Sequence, residues 1–403
     1  MGEDGVTGPV MPVTVLPVLG LPEVVAGDDV AGLVLEALGP SGLEVGDVVV
    51  VSSKLVSKAL GLRASGGSKD ALVLEESVRV VAERRTADGM TRVVEAAAGP
   101  VMAAAGIDGS NTGPGEDLLL LPHDPDSCAR ELRSSLRDRF GMPSTAPLAV
   151  VLSDTAGRPW RAGLTDFALG SAGLRVLLDH RGESDVDGRR LAVTARAVAD
   201  EIAAAADLVK GKADGVGAAV VRGLPSSWFE DEIGSAATVS DAAVADPAVV
   251  DHTVFDAAVS GAEPSGSGAA QLVRTGPGDW FAMGHVEAVR AALGVQPGSP
   301  ESEQVGIRAV GLETFGEVVS RVVAVTLLHD EDASVDLQVI EGGESSTQGT
   351  ASAEVTMGAG DDFALGRLAQ RLEVAAAGEG LSVSLGAGPT AGHTVSARLV
   401  PGG

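Results

Sequence analysis

An α/β core followed by a small α+β domain is the architecture this 403-residue sequence predicts, and three observations predict it. Continuous apolar runs bounded by turn residues, VVVV at 48–51 and PLAVVL at 147–152, read as strands buried on both faces. An Ala-rich helical stretch near 194–210 lies between such runs. Beyond about residue 304 the pattern becomes helices among strictly alternating strands, as in a small two-layer unit.

The elements follow in order. Residues 13–62 hold VTVLPVLGLPEV, a helical VAGLVLEAL, and GDVVVVSSKLVSK with its buried strand. Residues 75–106 mix strand-like and small-residue segments and lead into AAGIDGSN. PLAVVLSDT is a further strand, and GLRVLL a short one. TARAVADEIAAAADLVK predicts a helix over 194–210, capped by Thr194 and stopped by Gly211. At 100° per residue Val198, Ile202, Ala205 and Val209 share its buried face, Glu201 borders that face, and Asp200 points out. GAAVVRGL completes the core. Residues 225–268 carry eight acids and no Lys or Arg, which reads as an acidic insertion, mobile rather than packed. VQPGSPESEQ, 295–304, reads as a linker to a C-terminal domain at 296–403, so that 1–295 forms one domain containing the insertion. That last part has helices in VGLETFGEVVSRVV and GRLAQRLEVAAAG and strands in ASVDLQVI, TASAEVTM and HTVSARLV.

Composition excludes several classes of function. A formal charge of −27 opposes nucleic acid and anionic membrane surfaces, so an anionic ligand needs a local cationic patch or metal ions. Cys128 is the single cysteine, which leaves no intrachain disulfide or thiolate metal site and fits a reducing cytoplasm. Neither a signal peptide nor a run of about 20 apolar residues is present. Only five lysines occur, the last being Lys212, and this reads as compositional bias. The phosphate-loop, serine-elbow and paired-histidine zinc motifs are missing, and the six histidines are scattered.

What remains is acids at strand ends, where α/β sheets place ligands. IDGSN puts Asp108 and Asn111 in a glycine-containing turn, and LSDT puts Asp154 and Thr155 after PLAVVL. Carboxylate and hydroxyl oxygens suit a hard cation such as magnesium. The plain alternatives are an Asx turn for D-G-S-N and a helix cap for S-D-T. Arg158 and Arg161 either clamp an anion or pair with Asp166 to shape the loop. LVKGK is either a phosphate-binding segment or a basic helix C-terminus, and Ser53, Lys54 and Lys58 are equally compatible with a solvated strand and turn.

Taken together, LPVLGLPEV, GDVVVVSSKLVSK, AAGIDGSN, LSDTAGRPWRAGLTD, SDVDGRRL, VADEIAAAADLVKGK and AVVRGL, with QLVRTGPGDWF after the acidic stretch, resemble the coenzyme F-420 γ-glutamyl ligases over roughly residues 13–295. The resemblance implies an α/β core without a phosphate loop, a homodimer, and GTP-dependent addition of L-glutamate to F-420-0 through an acyl phosphate. It implies nucleotide contacts at Leu21, Pro22, Glu23, Val24, Ser53, Lys54, Lys58, Asn111, Lys210, Gly211 and Lys212. Asp108 would bind a divalent metal, magnesium or manganese, and Asp154 and Thr155 would complete a two-metal site, with Asp108 and Asp154 in the catalytic role and room for a potassium ion. Two departures stand out. Lys210 occupies a position where methionine is common, and 296–403 shows no match to the flavin-binding domain of two-domain mycobacterial members, so FMN is not expected. The rival readings are a ligase acting on another carboxylate and a non-catalytic nucleotide- or deazaflavin-binding module.

Overall fold

Four consecutive valines, Val48–Val51, are wholly buried in the computed structural model, because strands flank them on both edges and helices cover both faces. The structure describes residues 12–39, 42–66, 68–87, 89–110, 112, 117–159, 161–192, 194–230, 268–273, 283–310, 313–340, 351–386 and 393–402. Most of the acidic stretch, 231–267, and Asn111 lie outside these residues. By contacts the chain falls into two units, Met1–Ser68 with Ala96–Trp280 and Lys69–Glu95 with Phe281–Gly403. The single boundary expected near 295 is therefore replaced by a division in which an early segment joins the C-terminal residues.

In chain order the first unit carries β1 (Thr14–Pro17), α1 (Val30–Leu38), β2 (Asp47–Ser52), α2 (Ser53–Ala59) and β3 (Arg63–Ala64). After the segment that holds α3 (Lys69–Glu75), β4 (Ser77–Thr86) and β5 (Gly89–Ala96) come β6 (Val101–Ala103), β7 (Leu118–Leu119) and α4 (Pro125–Phe140). The unit is completed by β8 (Leu148–Arg158), β9 (Arg161–Ala172), β10 (Leu177–Asp179), β11 (Ala195–Ala197), α5 (Val198–Lys210) and β12 (Ala218–Arg222). Its main sheet runs β1-β12-β2-β8-β9, with β2 and β8 parallel and every other neighbour antiparallel. Because side chains alternate along a strand, Val49, Val51, Val150 and Leu152 pack with Val34 of α1 and Leu136 of α4. Val48, Val50, Ala149 and Val151 pack with Ile202, Ala203 and Ala206 of α5 on the opposite face. A helix on each face makes a three-layer α/β unit.

Close packing sets which residues fit between these layers. An added Cβ on Gly170 of β9 would lie 2.3 Å from the Pro125 carbonyl oxygen, so the start of α4 can approach the sheet only at a glycine. Asp126, in the first turn of α4, accepts N–H groups from Ser171, Ala269 and Ala270 at 2.7–2.9 Å. That carboxylate ties the chain beyond residue 267 back to the sheet.

Three local expectations change. The helix expected from 194 begins at Val198 with Ala197 as its cap, because Ala195–Ala197 pair with Leu177–Asp179 and their backbone groups are already used. Its buried face is Val198, Ala199, Ile202, Ala203, Ala206 and Lys210, which turns Asp200 inward and Glu201 outward. Asp200 accepts the Ala168 N–H at 2.9 Å, while exposed Glu201 pairs with Arg196 at 2.5 Å. Finally, LSDT caps no helix: β8 continues through it to Arg158 in a hairpin with β9.

The second unit contains α3, β4 and β5, then α6 (His285–Ala292), α7 (Pro300–Val305), α8 (Phe315–Leu327), β13 (Ser334–Ile340), β14 (Ser352–Gly358), α9 (Asp362–Gly378), β15 (Leu381–Leu385) and β16 (Thr394–Pro401). Its antiparallel sheet, β13-β14-β16-β15, buries Val355, Met357, Ala397 and Leu399 against Val319 and Val322 of α8 and Leu368 and Leu372 of α9. Glu354, Thr356, Ser396 and Arg398 alternate onto the solvent face. The 295–304 stretch is no linker here. Val295 is 1% exposed, and Ser299 caps α7 with Pro300 at its first position. Buried Glu83 of β4 accepts Gly298 N–H at 3.2 Å and the Ser302 hydroxyl, which anchors this segment to the early hairpin. Among the described residues no helix is long and apolar enough to cross a membrane.

Candidate active site

The parallel pairing of β2 with β8 ends at Ser52 and Ser153, and beyond it opens a cavity of about 590 Å³. Both serines line it, so the cavity occupies the position where diverging strands of an α/β sheet leave room for a ligand. The other walls come from Leu21–Glu23, α2, the turn at Gly109, the β8–β9 hairpin, and the end of α5 with its following loop to Gly217.

The hairpin carries a register change that shapes one wall. Leu152 pairs with Gly170 and Ser153 with Ala168, leaving Leu169 as an extra residue on β9. Beyond this bulge Thr155 stands opposite Asp166. Thr155 Oγ1 donates to Asp166 Oδ1 at 2.6 Å, and Ser153 Oγ donates to Oδ2 at 2.9 Å. Lys210, from the last turn of α5, reaches both Ser153 Oγ and Asp166 Oδ2 at 2.6 Å. Side chains of Lys210 and Asp166 are each 4% exposed, so this is a buried ion pair. Burial opposes ionisation of Asp166, but the charge and hydrogen bonds of Lys210, Thr155 and Ser153 outweigh it and hold the carboxyl below its ordinary value. Gly211, at φ +59°, ends the helix and lets Lys212 turn back onto Thr155 Oγ1.

Across β8, alternation puts Asp154 on the side of α2 and Asp108. Lys54 of α2 pairs with Asp108 Oδ2 at 2.6 Å and also donates to the Ser110 carbonyl and hydroxyl at 3.2 and 3.1 Å. Asp108 Oδ1 accepts the Ser110 N–H at 2.7 Å, so the Asx turn and the charged contact coexist. Burial raises the Asp108 carboxyl, and the Lys54 and Ser110 contacts bring it below the usual range. Asp154 behaves oppositely. Burial first, then the charges of Asp166 and Asp108, push it up to about 6 against the lowering contact of the Thr155 backbone and the charge of Lys54.

Of the residues expected at the site, Leu21, Pro22, Glu23, Lys54, Lys58, Asp154, Thr155, Lys210, Gly211 and Lys212 line the cavity. Asp108 touches it through Lys54. Lys58 and Ser53 are buried in α2 rather than solvated, and Lys58 pairs with Glu23 at 2.5 Å. Val24 is 1% exposed in the hydrophobic core and Ser53 is wholly buried, so neither faces the cavity. Arg158 and Arg161 pair with each other across the exposed hairpin tip, and neither contacts Asp166, whose partners are Ser153, Thr155 and the two lysines. Among the wall residues that sequence reasoning did not assign to the site are Ser52, Ser153 and Asp207, and Asp166, expected there only as a partner of the loop arginines, is another. The lysine count was the available signal: four of the chain's five lysines line this one cavity.

Among the described residues that line the cavity, the side chains able to ligate a cation are oxygen donors, without histidine or cysteine. That set fits a hard divalent cation that keeps water and phosphate ligands. No group of three or more His, Cys, Asp or Glu gathers for a metal among the described residues.

Comparison with known proteins gives one answer. A family model described as F420-0:Gamma-glutamyl ligase matches residues 67–223. A coenzyme F420:L-glutamate ligase of Haloarcula marismortui is 40% identical over 253 residues, covering 56% of this chain and 92% of the relative. Proteins of the same name from Methanothermobacter thermautotrophicus, 40% identical over 233 residues (53% and 90% covered), and Halobacterium salinarum, 42% over 229 (50% and 84%), agree. With this identity maintained over nearly the whole length of such relatives, the chain belongs to the F-420-0:γ-glutamyl ligase family.

Proposed function

We propose that this protein is a GTP-dependent ligase that joins L-glutamate to coenzyme F-420-0 through a γ-glutamyl amide bond. The observation that carries the reading is the gathering of four lysines with Asp154 and Asp166, and Asp108 beside them, at one cavity beyond the parallel strands of a member of this family. In a chain of formal charge −27, this is where an anionic nucleotide and an anionic acceptor can be held.

An amide does not form from a free carboxylate and an amine in water, so the carboxylate needs activation. Transfer of the γ-phosphoryl group of GTP to the terminal carboxylate of F-420-0 makes an acyl phosphate and releases GDP. The glutamate amine then attacks the acyl carbon, the C–N bond forms, phosphate leaves, and the amine gives up a proton. A divalent cation held by Asp108, Asp154 and Thr155 would neutralise phosphate charge during the first step. The protein's own groups do the rest. Leu21 and Pro22 wall the cavity, and Lys54 and Lys212 bring positive charge to its edge. Lys210 and Asp166 neutralise each other and fix the wall on which Thr155 is held.

Incubation of the purified protein with F-420-0, GTP, glutamate and manganese is expected to yield a product heavier by one glutamyl residue in mass spectrometry, with GDP released only when acceptor and amino acid are both present. Absence of that product with magnesium and manganese alike overturns the reading. Ligation of a different carboxylate offered in competition would redirect it to another acceptor.

A further inference from the structure

We propose that Lys54 and the divalent cation compete for Asp108, so that metal entry transfers the Lys54 ammonium from the carboxylate to the nucleotide phosphates. The inference rests on the ligase reading above and adds a coupling between its metal and nucleotide sites.

Both oxygens of Asp108 are engaged. Oδ1 accepts the Ser110 N–H at 2.7 Å, and Oδ2 holds Lys54 Nζ at 2.6 Å. The backbone of Asp108 is fixed by hydrogen bonds exchanged with Leu119 at 2.9 and 3.2 Å, so its carboxylate can move only by side-chain rotation, which breaks the Ser110 contact. A backbone N–H on one oxygen is compatible with a cation on the other. An ammonium and a divalent cation on the same oxygen repel each other at short range, so each weakens the other's hold on it. Lys54 is therefore loosened when a metal takes Oδ2. It has somewhere to go, since its flexible stem starts in the first turn of α2 and lines the cavity that would hold the phosphates. Lys212 repeats the arrangement on the other side. It donates to Thr155 Oγ1, whose own proton is directed to Asp166 at 2.6 Å, so an ammonium again sits on the acceptor side of a proposed metal donor.

Two consequences follow from such an exchange. Lys54 weakens metal binding to the free protein, and metal binding releases a cation that then favours the anion, a reciprocal coupling between the two ligands. Binding of manganese to nucleotide-free protein, read as free Mn(II) by electron paramagnetic resonance, tests the first consequence directly. Lys54→Met and Lys54→Gln are expected to bind manganese about threefold to fivefold more tightly than the wild type, the scale of one partly exposed ion pair. Both are expected to bind GTP with manganese more weakly, with the fold checked by thermal melting. Equal or weaker manganese affinity in both folded variants overturns the exchange. Asp108→Asn provides the frame. Manganese binding that this change leaves intact overturns the exchange and the metal assignment together, whereas a site lost in D108N but not tightened in K54M and K54Q overturns the exchange alone.

Discussion

Two regions of this protein bury opposite charges, and they do so in different ways. In the second unit Arg321 grips Glu313 at 2.8 and 2.9 Å and Glu379 at 2.9 and 3.1 Å, and Arg290 adds a 2.7 Å contact to Glu379. The void beside this cluster is about 10 Å³, at the limit for a single water. Burial opposes ionisation of both glutamates, but the arginine contacts outweigh it and lower their carboxyls below the ordinary value. In the first unit the cations are lysines, each a point charge on a flexible stem, and they border a cavity of about 590 Å³. The difference teaches what each cluster is for. Planar guanidinium forks closed onto carboxylates have fixed geometry and hold a fold, whereas ammonium groups at a cavity edge can exchange one anion for another.

The largest expected effect separates the two clusters by function. Asp154→Ala should lower ligation turnover by at least about 10³-fold, roughly 4 kcal/mol of barrier, while leaving the protein folded. Near-normal turnover would remove Asp154 from the site. Arg321→Met is the converse probe. It strips Glu313 of its ion pair and leaves Glu379 with Arg290 alone, and should cost about 3 kcal/mol of stability in urea denaturation. A loss under 1 kcal/mol would show that the second cluster is not what holds its helices together.

A gentler probe is Lys210→Met, which keeps the apolar stem and removes the charge beside Asp166. Asp166 retains the hydroxyl donors Ser153 and Thr155, so the expected loss is about 2 kcal/mol, below that of the arginine cluster. A loss equal to that of R321M would erase the distinction between the pairs.

These contrasts also mark how far the sequence could be read. Val48–Val51 and Leu148–Leu152 declared themselves as buried central strands because both faces of the sheet are covered. The alternation of Ser334–Ile340 and Thr394–Pro401 announced a sheet with one wet face. Blocks distant in sequence did converge, with Lys54, Asp154 and Lys210 on one cavity. Asp166 stayed hidden because it reaches Ser153 and Thr155 only through hairpin pairing and a bulge, which no local pattern encodes. In α5, the small alanines carry too weak an apolar signal to distinguish faces, so Asp200 and Glu201 were exchanged. The Pro-Gly-Ser chemistry of 295–304 is shared by linkers and by capped helices, and only burial of Val295 decides between them.

Titration offers a smaller effect that again belongs to the cavity. Asp154 is raised to about 6 in the folded protein, above the ordinary carboxylate value that the unfolded chain restores. Between about pH 4 and 6 the folded form therefore holds a proton that the unfolded form has lost, and the stability this contributes disappears as pH rises through about 6. Melting temperature should fall between pH 5 and 7 by a few degrees more in the wild type than in Asp154→Asn. Parallel curves for the two would mean that the carboxyl is not raised.

The smallest effect concerns two helix starts that use the same chemistry differently. Thr314 accepts the Glu317 N–H at 3.2 Å while Glu317 reaches back to the Thr314 N–H at 2.8 Å, a complete capping box at the start of α8, the helix that carries Arg321. Ser52 occupies the matching position before α2, yet its side chain makes no capping hydrogen bond and lines the cavity instead. Thr314→Ala should therefore cost about 1 kcal/mol in urea denaturation. Ser52→Ala should stay within about 0.5 kcal/mol of the wild type and register instead as a weaker affinity for GTP. Were S52A to cost as much stability as T314A, the serine would be a helix cap after all, and the division between a region built to hold still and a region built to bind would lose its clearest local marker.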